Sequence, residues 1–118
     1  VKCFSLSDLY AGKMHALLFR RWQNRVKGRD WFDFEWYVRR GAELNLAHLE
    51  KRARQSGDLG DEPLTTGLFA DWLTQRIERL DIESAKRDVR RFITDARVLD
   101  IWSRDYFMEL AQRVTFSE

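Results

Sequence analysis

Apolar residues recur every three or four positions along nearly the whole chain, from Leu6 to Val114, and runs that alternate every second position are almost absent. Such spacing stacks side chains on one face of an α-helix, whereas a half-buried strand needs a period of two. Only one proline, Pro63, interrupts the pattern. An all-α fold is therefore expected, a compact bundle of about six helices joined by short turns.

Local signals place the helices. Ser5 or Ser7 caps the first, Ser5 and Asp8 resemble a capping box, and the helix runs to about Trp22 with Leu6, Tyr10, Met14 and Leu17 on its apolar side. Gln23 to Gly28 reads as a polar turn. The second helix spans about Asp30 to Arg40 and stops at Gly41, behind two arginines that suit the negative end of the dipole. Its aromatic and aliphatic residues, Trp31, Phe32, Phe34, Trp36, Tyr37 and Val38, cover nearly the full circumference, which predicts a central, buried helix. Asn45 caps a short third helix to about Gln55, and Ser56 to Thr65 forms the main loop. A fourth helix from Thr65 or Thr66 turns Leu68, Phe69, Trp72, Leu73, Ile77 and Leu80 inward. A fifth carries Ile82, Ala85, Val89, Phe92, Ile93 and Ala96 at helical spacing. The last, capped by Ser103, buries Tyr106, Phe107, Leu110, Ala111 and Val114. All five tryptophans (22, 31, 36, 72 and 102) are expected in the core.

A length of 118 residues suits one domain, and 44% hydrophobic content is too apolar for disorder. The longest apolar run, Ala16 to Phe19, is far too short to span a bilayer, and no signal peptide is visible, so a cytoplasmic protein without membrane contact is expected. The single cysteine, Cys3, fits a reducing compartment. His15 and His48 stand alone, so no metal-ligand spacing is present. Val1 to Phe4 reads as the end of a strand or an extended connection, and the sequence is expected to start inside a larger protein.

Charge is unevenly spread. Residues 13–40 carry eight Lys/Arg against three acids, whereas residues 41–118 carry twelve against fifteen. A basic patch of this kind favours phosphate-bearing partners. On the first helix Lys13, Ala16 and Arg20 form one stripe beside the apolar face, where long cations can lay their stems on the core and hold their heads over a groove. Arg21 falls nearer the apolar side. On the second helix Asp30 and Asp33 share a face with Tyr37 one turn further. Asp30 at the helix start is explained by free amides and the dipole. Asp33, between Phe32 and Phe34, requires a partner or a cleft. Lys13, Arg20, Arg21 and Arg29 are the nearest cations in sequence. They could form an ion pair pinning the two helices, or line a phosphate site.

The set Lys13-x-x-Ala16-x-x-x-Arg20 followed by Arg29-Asp30-x-x-Asp33 resembles the closing motifs of the AbiEii/AbiGii-type nucleotidyltransferase toxins of bacterial abortive-infection toxin–antitoxin pairs. Leu9-Tyr10-Ala11-Gly12-Lys13 also matches, except that Gly12 stands where glutamate is usual. The resemblance covers residues 4–38. It implies the C-terminal helical part of a polymerase-beta-like enzyme that moves a nucleotidyl group from a nucleoside triphosphate to RNA or protein with magnesium. Lys13 would then bind nucleotide phosphates with help from Arg20, Arg21 and Arg29. Asp33 would be the catalytic candidate, orienting Lys13 or acting as a base, and Arg29 and Asp30 would shape the cleft. The family's metal-binding acidic pair and glycine motif lie in an N-terminal core, and no Asp-x-Asp occurs here, so these residues alone are expected to be inactive and to hold no metal. The implied partners are that core, a cognate antitoxin and an acceptor such as RNA. A different expectation remains open: a non-enzymatic helical module that docks protein or RNA through its tryptophans and basic stretch.

Overall fold

The structure is a computed structural model and describes residues 5–19 and 28–117. Six α-helices follow in order among them: α1 (Leu6–Phe19), α2 (Gly28–Arg39), α3 (Leu46–Gln55), α4 (Thr66–Glu78), α5 (Ile82–Arg90) and α6 (Arg104–Gln112). A 3₁₀ turn, Ala96–Leu99, links α5 to α6. The expected all-α bundle is therefore found.

Most helix ends are set by the capping chemistry legible in the sequence. The Ser5 hydroxyl accepts from the Asp8 amide at 3.2 Å, Asn45 Oδ1 from His48 at 3.0 Å, Thr65 from Leu68 at 3.1 Å and Ser103 from Tyr106 at 3.0 Å. Asp8 does not complete a capping box, however. Its carboxylate accepts from Asn45 Nδ2 at 2.7 Å, so the cap of α3 is tied to the first turn of α1. Gly41 ends α2 at φ 73°, with Ala42 N–H bonded back to the Tyr37 carbonyl in a Schellman-type closure.

Trp31 is the centre of the core. It is 1% exposed and packs edge-on against Phe107 at 5.2 Å and Phe34 at 6.1 Å. Tyr10, Met14 and Leu17 of α1 are fully buried, as are Leu73 and Ile77 of α4. Tyr10 also stacks on Tyr37 of α2, with rings 4.5 Å apart and nearly parallel.

Several expectations fail. Helix α2 is not buried all round: Trp36 is 46% exposed, and only Trp31 and Trp102 of the described tryptophans are fully in the core, with Trp72 half-buried. Helix α5 stops at Arg90, so Phe92 falls in the turn beyond it and is 56% exposed, and Ala96 begins the 3₁₀ turn. Leu6 is 39% exposed. Two short strands were not foreseen. β1 (Glu43–Leu44) pairs in parallel with β2 (Thr115–Phe116), Leu44 opposite Phe116, which returns the end of the chain to the base of α1 and α3. Two-residue strands carry no period to read. Trp22 and the expected extended segment Val1–Phe4 lie outside the described residues.

The Tyr10 hydroxyl is fully buried and has no hydrogen-bond partner among the described residues. A buried polar atom left unmade destabilises by about 1–3 kcal/mol. Tyr10→Phe, which keeps the stacked ring, should therefore match or raise the thermal midpoint, and a clear drop in a melting experiment would show that the hydroxyl has a partner.

Candidate active site

Helices α1 and α2 lie side by side, and their polar edges meet at the mouth of an open cleft of about 330 Å³. Lys13 enters from α1. Arg29, Asp30, Phe32 and Asp33 enter from α2, and Val89, Phe92 and Ile93 close the far wall from the end of α5. Lys13 Nζ sits 3.0 Å from Asp33 Oδ2, and both side chains stay open to water, 49% and 37% exposed. The mid-helix acid thus has the partner its apolar neighbours demanded, and the partner comes from the expected helix. Because solvent screens the pair, it contributes only about 0–1 kcal/mol to stability. It has little weight as a structural pin and remains available to a ligand.

One turn beneath the pair, Tyr37 stands at i+4 from Asp33 and its stacking partner Tyr10 at i−3 from Lys13. The rim contact and the stacked rings therefore lie in register along one interhelical seam. Asp30 is 6% exposed in the first turn of α2, where carboxylates are favoured, and is engaged. The Arg29 guanidinium lies over the Phe92 ring, 4.4 Å from its centroid. Arg20 and Arg21 lie outside the described residues.

The start of α2 is fixed by close packing at Gly28. A Cβ there would fall 2.1 Å from the Ala85 carbonyl oxygen and 2.7 Å from Val89 Cγ2. Only a glycine allows α2 to touch the α5 backbone this closely, and the contact sets where Arg29 emerges. Gly12, one residue before Lys13, faces the Arg52 guanidinium of α3, whose carbon would be 3.7 Å from an added Cβ.

Sequence reasoning found the α1 and α2 residues of the cleft but missed its third wall. Nothing local in Val89, Phe92 or Ile93 announces that α5 packs on the start of α2. It also missed Glu35, which is 5% exposed and accepts from Trp102 Nε1 at 3.3 Å and from the Tyr106 hydroxyl. That acid ties α2 to α6, with Arg39 at 4.0 Å on the open side. Its place inside an aromatic run was the available signal.

A family model, the nucleotidyl transferase AbiEii toxin of the type IV toxin–antitoxin system, matches residues 1–115. The chain belongs to the AbiEii toxin family. It is thus part of a nucleotidyltransferase family of toxins, and membership implies an antitoxin partner. No curated protein and no solved structure matched the chain. In this AbiEii-family chain no helix among the described residues is long and apolar enough to cross a membrane. Among those residues, no group of three or more His, Cys, Asp or Glu could hold a metal ion. Of the two cleft carboxylates, Asp33 faces Lys13 at 3.0 Å and Asp30 is engaged.

All three tyrosines hold their protons more tightly in the folded state. Burial first, then Tyr37, raises Tyr10 far above the ordinary phenol value. Burial raises Tyr37, with Lys13 opposing and Asp33 adding. Tyr106 is pushed up to about 12 by burial and then by its bond to Glu35. A phenol with a raised folded pKa contributes stability that is complete below the unfolded value of 10.0 and is lost as pH rises through the folded value. Thermal melts should therefore be insensitive to these groups up to about pH 10 and fall above it. Tyrosinate absorbance rising at about pH 10 while the protein remains folded would contradict the raised values.

Proposed function

We propose that the cleft receives the phosphates of a nucleoside triphosphate, and that the protein transfers a nucleotidyl group from it to an acceptor. The observation that carries this reading is the 3.0 Å approach of Lys13 and Asp33 at an open, water-accessible cleft that Arg29 also lines. A buried pair would speak for a structural clamp. An exposed pair contributes little to stability, so a ligand phosphate can displace the carboxylate at small expense.

Lys13 binds the phosphates as a compact point charge on a flexible stem. Arg29 supplies planar donors from the opposite side, and Arg20 and Arg21 are further candidate cations. Asp33 has two possible tasks: it holds the Lys13 ammonium in place before the nucleotide arrives, or takes a proton from the attacking group. Asp30 and Phe32 shape the wall. Magnesium would neutralise developing charge on the transferred group, and the acids that hold it would come from an N-terminal core, which leaves residues 1–118 inactive alone. The acceptor is RNA or protein.

The test supplies the intact protein with nucleoside triphosphates labelled at the α-phosphate, with magnesium and a bacterial extract. Label should become covalently attached to a macromolecule, and residues 1–118 by themselves should transfer none. Turnover by residues 1–118 alone would refute the division of labour, and absence of transfer by the intact protein with every nucleotide would refute the activity.

A second reading is favoured by the exposed Trp36. With Phe32, Val98, Arg39 and Arg40 it lines a shallow groove of about 380 Å³, and Arg40 lies 4.9 Å from its ring. A non-enzymatic docking module would use this face, and salt-dependent RNA binding without nucleotide would support it.

A further inference from the structure

We propose that Phe92 is a positioning residue of the cleft, whose ring holds the Arg29 guanidinium over the cleft with its donors free for a phosphate. This rests on the nucleotide reading above and adds a residue to it.

Phe92 is 56% exposed, so it adds little to the core. What it does touch is Arg29, from the opposite wall, at 4.4 Å from ring centroid to guanidinium carbon. Arg91, its neighbour in sequence, lies at the limit of such contact, 6.0 Å from the same ring. Both Phe92 and Arg29 line the same cleft.

The chemistry of the holder matters. A carboxylate would take Arg29's N–H groups and cancel its charge. An aromatic ring binds the flat face of the guanidinium and leaves the five in-plane donors and the positive charge available. Among the described residues no hydrogen bond or ion pair engages the Arg29 guanidinium. Lys13 is the contrasting case, since its charge is already met by Asp33. The cleft therefore combines one neutralised cation with one pre-oriented cation whose donors are open. The placement of Arg29 against Phe92 is fixed, because Gly28, next to Arg29, packs directly on the α5 backbone at Ala85, seven residues before Phe92 in the turn that follows α5.

The experiment compares Phe92→Leu with Phe92→Tyr in the intact protein, by calorimetric titration with nucleoside triphosphate and by steady-state transfer. Leucine keeps an apolar side chain and removes the π face, whereas tyrosine restores the face. Phe92→Leu should raise the nucleotide Kd and KM roughly five-fold, leave kcat unchanged and leave the melting midpoint unchanged, and Phe92→Tyr should stay within about twofold of the parent. In an Arg29→Ala background, Phe92→Leu should have no further effect on affinity. Parental affinity in Phe92→Leu, failure of tyrosine to rescue, or additivity with Arg29→Ala would each overturn the assignment. If Lys13→Ala abolishes transfer while Phe92→Leu is silent, only the role of Phe92 fails. If Lys13→Ala leaves transfer intact, the nucleotide reading itself fails.

Discussion

Lys13→Ala in the intact protein should lower nucleotidyl transfer by about a hundredfold or more while the protein melts almost as before. The size follows from removing one preorganised charge from a phosphate site, a loss that typically reaches 10²–10³ in rate. The small effect on folding follows from exposure: Lys13 and Asp33 are 49% and 37% exposed, so solvent screens their attraction. An exposed pair of this kind is worth about 0–1 kcal/mol, a shift of roughly 4 °C or less in a chain of this size. Asp33→Asn should behave alike in stability and show whether the acid matters beyond holding Lys13. Lys13→Arg should recover only part of the activity, because a planar fork does not replace a point charge. Transfer assays and thermal melts on the same preparations check all three. Activity retained in Lys13→Ala would remove the site from the cleft.

Gly28→Ala should destabilise the fold by about 3 kcal/mol and lower the melting midpoint on the order of 10 °C. The new Cβ would lie 2.1 Å from the Ala85 carbonyl oxygen, and backbone cannot rotate away as a long side chain can. Helices α2 and α5 must separate, and the displacement reaches Arg29 and Phe92, which face each other across the same junction. Nucleotide affinity should therefore fall together with stability. An alanine variant with a parental melt would mean that α2 and α5 do not pack through Gly28.

How much of this was legible depended on whether the cause was local. Ser5, Asn45, Thr65 and Ser103 each satisfy an amide three residues on, a relation contained within one turn, and each was readable. Gly41 was readable for the same reason. The Lys13–Asp33 contact spans two helices, yet it could be anticipated, because an ionised acid among aromatic residues needs a counter-charge. Phe92 was misread because its spacing fits a longer α5 and nothing local marks the stop at Arg90. Trp36 was misread because apolar character around a whole helix implies burial, whereas here one flank opens on a groove under Arg40. The partners of Glu35 and Gly28, namely Tyr106, Trp102 and Ala85, lie far away in sequence; an acid inside an aromatic run signals that Glu35 needs a partner, but only the folded chain shows which one. The motif resemblance identified the family on residues 4–38, and the family model extends that membership to residues 1–115.

The most direct test is the position of Lys13 in a complex of the intact protein with a non-hydrolysable nucleoside triphosphate. The ammonium should lie about 2.8 Å from a phosphate oxygen, the distance of a charge-assisted hydrogen bond, with the nucleotide in the cleft between α1, α2 and α5. A nucleotide bound elsewhere, with Lys13 still closed on Asp33, would contradict the account.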